Sequence, residues 1–282
     1  MTDRLFVLLQ YLLPQHGVSR FVHWATRVRT RWFKNLLIRS FVRGFRVDMS
    51  DAAEPQATAY PTFNAFFTRA LIADARPTPG SPLAIAAPVD GTVSQAGLAA
   101  DGRLFQAKDR DYGLADLLGD RTLATNLSGG AFATIYLAPY NYHRIHMPLD
   151  GELRRMIYLP GRLFSVNAAT VRSVPRLFAR NERVVCCFDT AAGPLAMVLV
   201  GALNVGSIET VWAGEVAPGR PRRGAVADYA PGEIVLGRGE EMGRFNMGST
   251  VIAVFAPGQV ALAPALTAGA LVRLGQSIGD TN

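Results

Sequence analysis

The chain changes texture at Pro77-Thr78-Pro79-Gly80-Ser81-Pro82, and this limits its fold more than any other feature. Three prolines and a glycine within six residues cannot continue a helix or a central strand, so elements on both sides must stop there. Before this point, large apolar and basic side chains recur at helical spacing: Leu5, Leu8, Leu9, Leu12 and Leu13 follow the i, i+3, i+4, i+7, i+8 pattern. After it come short apolar runs punctuated by Gly, Pro and Asp. Phe132–Leu137, Val184–Phe188, Ala196–Val200 and Val251–Phe255 have the length and composition of strands. The pattern predicts an α+β protein, with a helical module and linker over 1–80 and a β-rich domain over 81–282. Breaks in the helical part are expected at Pro14, Gly17 and near Arg29-Thr30. Thr62 reads as the N-cap of a helix reaching about Leu71. Short helical pieces are expected at Leu114–Leu118 and within Ala168–Pro175.

Charge follows the same division. Residues 1–47 hold nine basic side chains against Asp3 alone, a local +8, so the rest of the chain carries −1 against the total of +7. Three partners suit such a segment: nucleic acid, plain solvent or an anionic membrane surface. Its content of Leu, Phe and Trp speaks against nucleic acid and fits a membrane surface best. Arg20, Arg27, Arg31 and Lys34 fall within roughly a 60° arc at about 100° per residue, flanked by Phe21, Trp24, Val28 and Trp32. Leu5 to Leu13 is too short to span a bilayer, and no small-x-small cleavage site follows it. Cys186 and Cys187 are adjacent, so on a strand they point to opposite faces, which suits neither a disulfide nor a metal pair. They read as small core residues of a reduced, cytoplasmic protein.

The polar residues that can carry chemistry sit in three places. Asp90 lies in Pro88-Val89-Asp90-Gly91-Thr92-Val93. Two of the four histidines, His143 and His146, lie in Tyr140–Pro148. Ser249 follows Gly248 where a strand begins. An aspartate, a histidine and a serine can form an orienter, base and nucleophile set whatever their chain order. No Gly-x-Ser-x-Gly elbow is present, which argues against an α/β-hydrolase. Each residue has an ordinary alternative: Asp90 as a turn former, the histidines as core, surface or metal-binding groups, Gly248-Ser249-Thr250 as a turn. No third ligand accompanies the histidines, so a metal is not expected. Ser165 and Asn167 either contact a phosphate or serine head group or form a capped turn.

Ordered matches along the chain then narrow the choice. Phe63-Asn64-Ala65-Phe66-Phe67-Thr68-Arg69, Pro88-Val89-Asp90-Gly91, Tyr142–Pro148, Pro160–Asn167, Phe178–Arg183, Val205–Gly214 and Gly248-Ser249-Thr250 together resemble the pyruvoyl-dependent bacterial phosphatidylserine decarboxylases. Met247 departs mildly from the family's usual Leu or Phe. The resemblance implies self-cleavage between Gly248 and Ser249 into a β chain, 1–248, and an α chain, 249–282, whose first residue becomes a covalent pyruvoyl group. In that reading His146 deprotonates Ser249, Asp90 orients His146, and His143 serves the substrate. The pyruvoyl group forms a Schiff base with phosphatidylserine, which leaves as phosphatidylethanolamine and carbon dioxide. The resemblance also implies a homodimer held peripherally on the cytoplasmic side of the bacterial membrane.

The lysine count is compatible with this. Only Lys34 and Lys108 occur, and a pyruvoyl group provides an electron sink without a lysine. A fainter likeness to the barrel-sandwich hybrid domains of biotin and lipoyl carriers runs through Pro88–Val93 and Ala268–Gly279. A carrier needs a lysine at a hairpin tip, and none follows Lys108. Two other classes fit the residues: a self-cleaving or hydrolytic serine-triad protein without decarboxylase activity, and a non-enzymatic membrane-binding β module.

Overall fold

In the computed structural model the described residues are 3–107, 110–203, 207–217 and 225–282, with only the backbone described at 3–6 and 217. Lys108, the Leu5 side chain and the Val205-Gly206 start of one matched stretch lie outside them.

The N-terminal part forms helices α1 (Asp3–Leu12), α2 (Gln15–Ala25), α3 (Arg31–Phe45) and α4 (Phe63–Phe67). Pro14 separates the first two. Gly17, expected as a break, lies inside α2, where Val18 N–H still bonds the Pro14 carbonyl at 3.0 Å. A single helical glycine costs only about 1 kcal/mol, which the rest of the helix absorbs. Thr62 caps α4 as expected, its Oγ1 accepting from Ala65 N–H at 3.0 Å. The helix stops at Phe67 rather than Leu71, because the chain beyond pairs with residues 51–53: Ala53 N–H bonds the Ala70 carbonyl and Ile72 N–H the Asp51 carbonyl, both at 2.9 Å.

The predicted basic arc is only partly a surface. The break at residues 26–30 separates Arg20 and Arg27 from Arg31 and Lys34, and two of the four cations turn inward. Arg27 pairs with Glu215, and Lys34 Nζ bonds the Thr58 carbonyl at 2.8 Å. Exposed cations remain at Arg20, Arg29, Arg31, Arg39, Arg43 and Arg46. Beside them Leu12, Phe21, Trp24 and Trp32 are 61–75% exposed. A surface so rich in large apolar groups is unusual for helices that face only water.

Half of the described strands of the C-terminal part join one antiparallel sheet. Its order is Ala225–Asp228, Gly151–Leu159, Arg183–Thr190, Gly193–Val200, Thr250–Phe255, Ala131–Tyr136, Gly91–Leu98 and Leu271–Val272, with Val235–Leu236 also pairing Gly151–Leu159. The central strands are apolar along their whole length because both faces are covered. Val251, Ala253 and Phe255 enter one core cluster, Ile252 and Val254 the other. Cys186 and Cys187 divide between the same two clusters, as their adjacency on a strand requires. The protein is thus mixed helix and sheet. The two segments of the carrier-like echo meet, since Gly91–Leu98 pairs with Leu271–Val272. A four-stranded sheet, Gly214–Ala217, Ile208–Thr210, Glu241–Phe245 and Arg144–His146, lies alongside. Helices form at Leu114–Leu118 and Ala168–Ser173. Among the described residues no helix is long and apolar enough to cross a membrane.

Sheet connectivity positions the serine. Thr250 pairs with both Val200 and Tyr136, so Ser249 stands at the mouth of the central strand, where its carbonyl accepts from Leu137 N–H at 2.8 Å. The four-stranded sheet carries the His143–His146 segment against residues 241–245. α4 packs its Phe63, Phe66 and Phe67 with Ile38 and Val47 in a third apolar cluster, which Met247 also touches.

Candidate active site

Ser249 is fully buried, and its Oγ has no hydrogen-bond partner among the described residues. An unpartnered buried hydroxyl costs about 1–3 kcal/mol, so native proteins keep few of them. The two residues before it have left-handed backbones, Met247 at φ 116° and Gly248 at φ 34°. Glycine takes such a φ freely, whereas for methionine it carries strain on the order of 1–3 kcal/mol. Backbone strain at Met247 and an idle nucleophile at Ser249 therefore flank Gly248.

His143 faces this bond. Its Nδ1 donates to the Asn141 carbonyl at 2.7 Å, so Nε2 holds the lone pair. That Nε2 is buried and has no partner among the described residues, and apart from the chain neighbours it is the nearest atom, at 3.9 Å, to where a Cβ on Gly248 would lie. The Phe67 ring packs on the imidazole with centroids 4.1 Å apart. Burial pushes the His143 pKa down to about 3, with the Arg69 charge adding to the shift and the Asn141 carbonyl opposing it. The ring is therefore neutral near neutral pH, and the same burial makes it a weaker base than a free imidazole.

His146 occupies a different setting. Its Nδ1 donates to the Gly239 carbonyl at 2.7 Å, and its Nε2 accepts from the Tyr142 hydroxyl at 3.1 Å. Burial lowers its pKa and raises that of Tyr142 to about 12. The two side chains line a cavity of about 280 Å³ together with Arg76, Arg144 and Leu274. Asp90 is buried, paired with Arg76 (Nη2 to Oδ2, 2.7 Å) and bonded by Leu274 N–H at 2.8 Å. No hydrogen bond joins Asp90, His146 and Ser249 to one another among the described residues, because Arg76 holds the carboxylate and Tyr142 the imidazole.

Of the expected site residues, the structure brings His143, Gly248 and Ser249 together, with His146 and Asp90 engaged elsewhere. Ser165 donates its backbone N–H to Gln10 Oε1 at 2.7 Å. Asn167 is the helix cap foreseen as its alternative, its Oδ1 accepting from Thr170 N–H at 3.1 Å. Among the described residues no group of three or more His, Cys, Asp or Glu side chains is arranged to hold a metal ion.

Three neighbours received no role from sequence. Tyr142 and Arg69 lie within the matched stretches, while Arg76 has no local signal. Arg69 is 5% exposed, bonds the Tyr140 carbonyl at 3.3 Å and leaves Nε without a partner among the described residues. It makes no ion pair among the described residues, and burial lowers its pKa. A buried guanidinium without a carboxylate is costly unless an anion joins it.

Comparison with known proteins bears on the family. The phosphatidylserine decarboxylase family profile matches residues 63–280, and a second profile, described as PSD, matches 5–46. A phosphatidylserine decarboxylase proenzyme of Alkalilimnicola ehrlichii is 59% identical over 92% of this chain and 92% of its own. Proteins of the same name are 53% identical in Methylococcus capsulatus, over 98% of this chain and 96% of theirs, and 54% identical in Pseudomonas fluorescens, over 99% and 98%. With matches of this extent at both ends and through the Gly248–Ser249 junction, the chain belongs to the phosphatidylserine decarboxylase family.

Proposed function

We propose that this chain is a proenzyme that cuts itself between Gly248 and Ser249 and then decarboxylates phosphatidylserine to phosphatidylethanolamine at a membrane surface. The observation that carries the reading is the idle Ser249 hydroxyl, two residues after the strained Met247 backbone, together with a His143 Nε2 that has no partner among the described residues.

Maturation begins when a base removes the Ser249 hydroxyl proton. The oxygen attacks the Gly248 carbonyl, the peptide C–N bond breaks and an ester forms. Loss of the Ser249 α-proton expels the Gly248 carboxylate and leaves dehydroalanine. One water then releases ammonia and leaves a pyruvoyl cap on the α chain. Glycine at position 248 offers the attacked carbonyl the least hindrance. Following the family resemblance, His146 is the base and Asp90 orients it. Tyr142 must then release Nε2 before the proton can move. A second reading, favoured by its free Nε2 beside Gly248, makes His143 the base.

The pocket residues fit a pyruvoyl group, since buried Ser249 becomes it and the unpartnered His143 Nε2 lies next to the junction. Such a group supplies the carbonyl electron sink that amino-acid decarboxylation requires. His143, whose Nε2 lies beside Gly248, is the group we assign to exchange a proton with the reacting carbon. Arg69 offers a buried positive charge to the lipid's carboxylate or phosphate. The Ser165 hydroxyl makes no hydrogen bond among the described residues and remains available to the head group, whereas Asn167 has its amide oxygen in the cap. The test is carbon dioxide release from phosphatidylserine vesicles by the cut protein. A cut protein that leaves the lipid unchanged favours the hydrolytic or merely self-cleaving alternative.

The exposed aromatic and basic side chains of α1 to α3 support peripheral docking on an anionic, cytoplasm-facing leaflet, where each cation is worth about 1 kcal/mol within a Debye length of roughly 10 Å. Vesicle sedimentation is expected to weaken with salt and with Trp24→Ala plus Trp32→Ala. Binding indifferent to both would remove this assignment. The homodimer implied by the resemblance belongs to the same proposal, and sedimentation velocity tests it.

A further inference from the structure

We infer that Asn246 is the clamp that positions the Gly248–Ser249 bond for cleavage, and that helix α2 sets this clamp through Glu215. The inference rests on the self-cleavage proposed above. Asn246 is fully buried two residues before the scissile glycine, and both ends of its side chain are held. Its Oδ1 accepts from Asn64 Nδ2 at 3.0 Å. Its Nδ2 donates to Ser207 Oγ at 2.6 Å and reaches Glu209 Oε2 at 3.3 Å and Glu215 Oε1 at 3.4 Å. The backbone is fixed as well, since Asn246 N–H bonds the Ser207 carbonyl at 2.9 Å.

These partners lead back to α2 by two routes. Glu215 pairs with Arg27, just past the end of α2, and its other oxygen meets His23 Nε2 at 3.1 Å. Arg27 Nη2 also reaches Ser207 Oγ at 3.4 Å. Asn64, meanwhile, is held through its own N–H on the Thr26 carbonyl at 2.9 Å. The outward face of the same helix carries exposed Phe21 and Trp24. The chain directly after the clamp takes the left-handed backbones of Met247 and Gly248. A residue next to a strained turn must be over-determined by its surroundings for the turn to persist. The arrangement gives Asn246 that part, and α2 is its outer anchor.

The division of labour has a sharp consequence. Before cleavage, residues 246–248 are tethered to Ser249 and fix where its carbonyl neighbour lies. After cleavage they are the loose end of the β chain and no longer hold the group derived from Ser249. Asn246 is therefore a positioning residue for maturation and not for turnover.

The experiment follows newly synthesised chains by pulse–chase, resolves precursor from products on a denaturing gel, and separately measures carbon dioxide release per cut chain. Asn246→Ala is expected to cut roughly 10- to 100-fold more slowly, the scale for misplacing reacting groups. Glu215→Gln and Arg27→Ala should slow cutting in the same direction by less, and Arg27→Lys should restore it. Carbon dioxide release per cut chain should stay at the wild-type rate in all of them. Glu215 and Arg27 are partly exposed, so these variants keep the test open if Asn246→Ala misfolds. Wild-type cutting rates in Glu215→Gln and Arg27→Ala would overturn the inference. So would parallel losses of cutting, turnover and melting temperature, which would make the network merely structural. If unaltered protein never cuts, the failure lies in the proposed function beneath it.

Discussion

Ser249→Ala should accumulate as a folded, full-length precursor with no detectable cleavage or decarboxylation. The substitution removes the only atom proposed to attack Gly248, and with it the source of the pyruvoyl group. It also removes a buried hydroxyl that has no partner among the described residues. Deleting such a group relieves about 1–3 kcal/mol of unmet hydrogen bonding, against a small packing loss. The precursor should therefore melt at or above the temperature of the unaltered protein. A denaturing gel and a thermal melt read both outcomes. A Ser249→Ala chain that still cuts at this position would show that another nucleophile acts.

The second large effect separates the histidines. His143→Ala should still cut, yet release carbon dioxide roughly 10²–10⁴-fold more slowly, the range for losing a positioned proton-transfer group. His146→Ala and Asp90→Asn should cut slowly or not at all. The structure sharpens this test because His143, and not His146, has its free nitrogen beside Gly248. If His143→Ala fails to cut while His146→Ala cuts normally, the second reading holds and the roles exchange. Tyr142→Phe discriminates further. It frees His146 Nε2 from its present partner, so faster cutting is expected if His146 is the base.

The sequence was most legible where local rules decide the structure. Continuous apolar runs became the covered central strands, and the adjacent cysteines parted to opposite faces. Thr62 capped its helix because a hydroxyl at that position satisfies an orphan N–H. Legibility failed where distant segments compete. α4 stops early because residues 51–53 claim the following backbone. Arg27 and Lys34 left the predicted basic arc for Glu215 and the Thr58 carbonyl, partners far away in the chain. The site behaves in the same way. Ser249, Gly248 and both histidines stand out in the sequence, but the Arg76 and Tyr142 contacts that hold Asp90 and His146 depend on tertiary packing. Asn246 carries no local signal in the sequence, and only its four-sided hold marks it.

Intact mass of the purified protein tests the central claim most directly, because one spectrum reports both the cut and what the cut leaves behind. The account predicts two chains, residues 1–248 with an ordinary carboxylate end and residues 249–282 lighter by one ammonia than an unmodified fragment. A single mass for all 282 residues after prolonged incubation with lipid, or a 249–282 fragment that retains its serine amine, would contradict it.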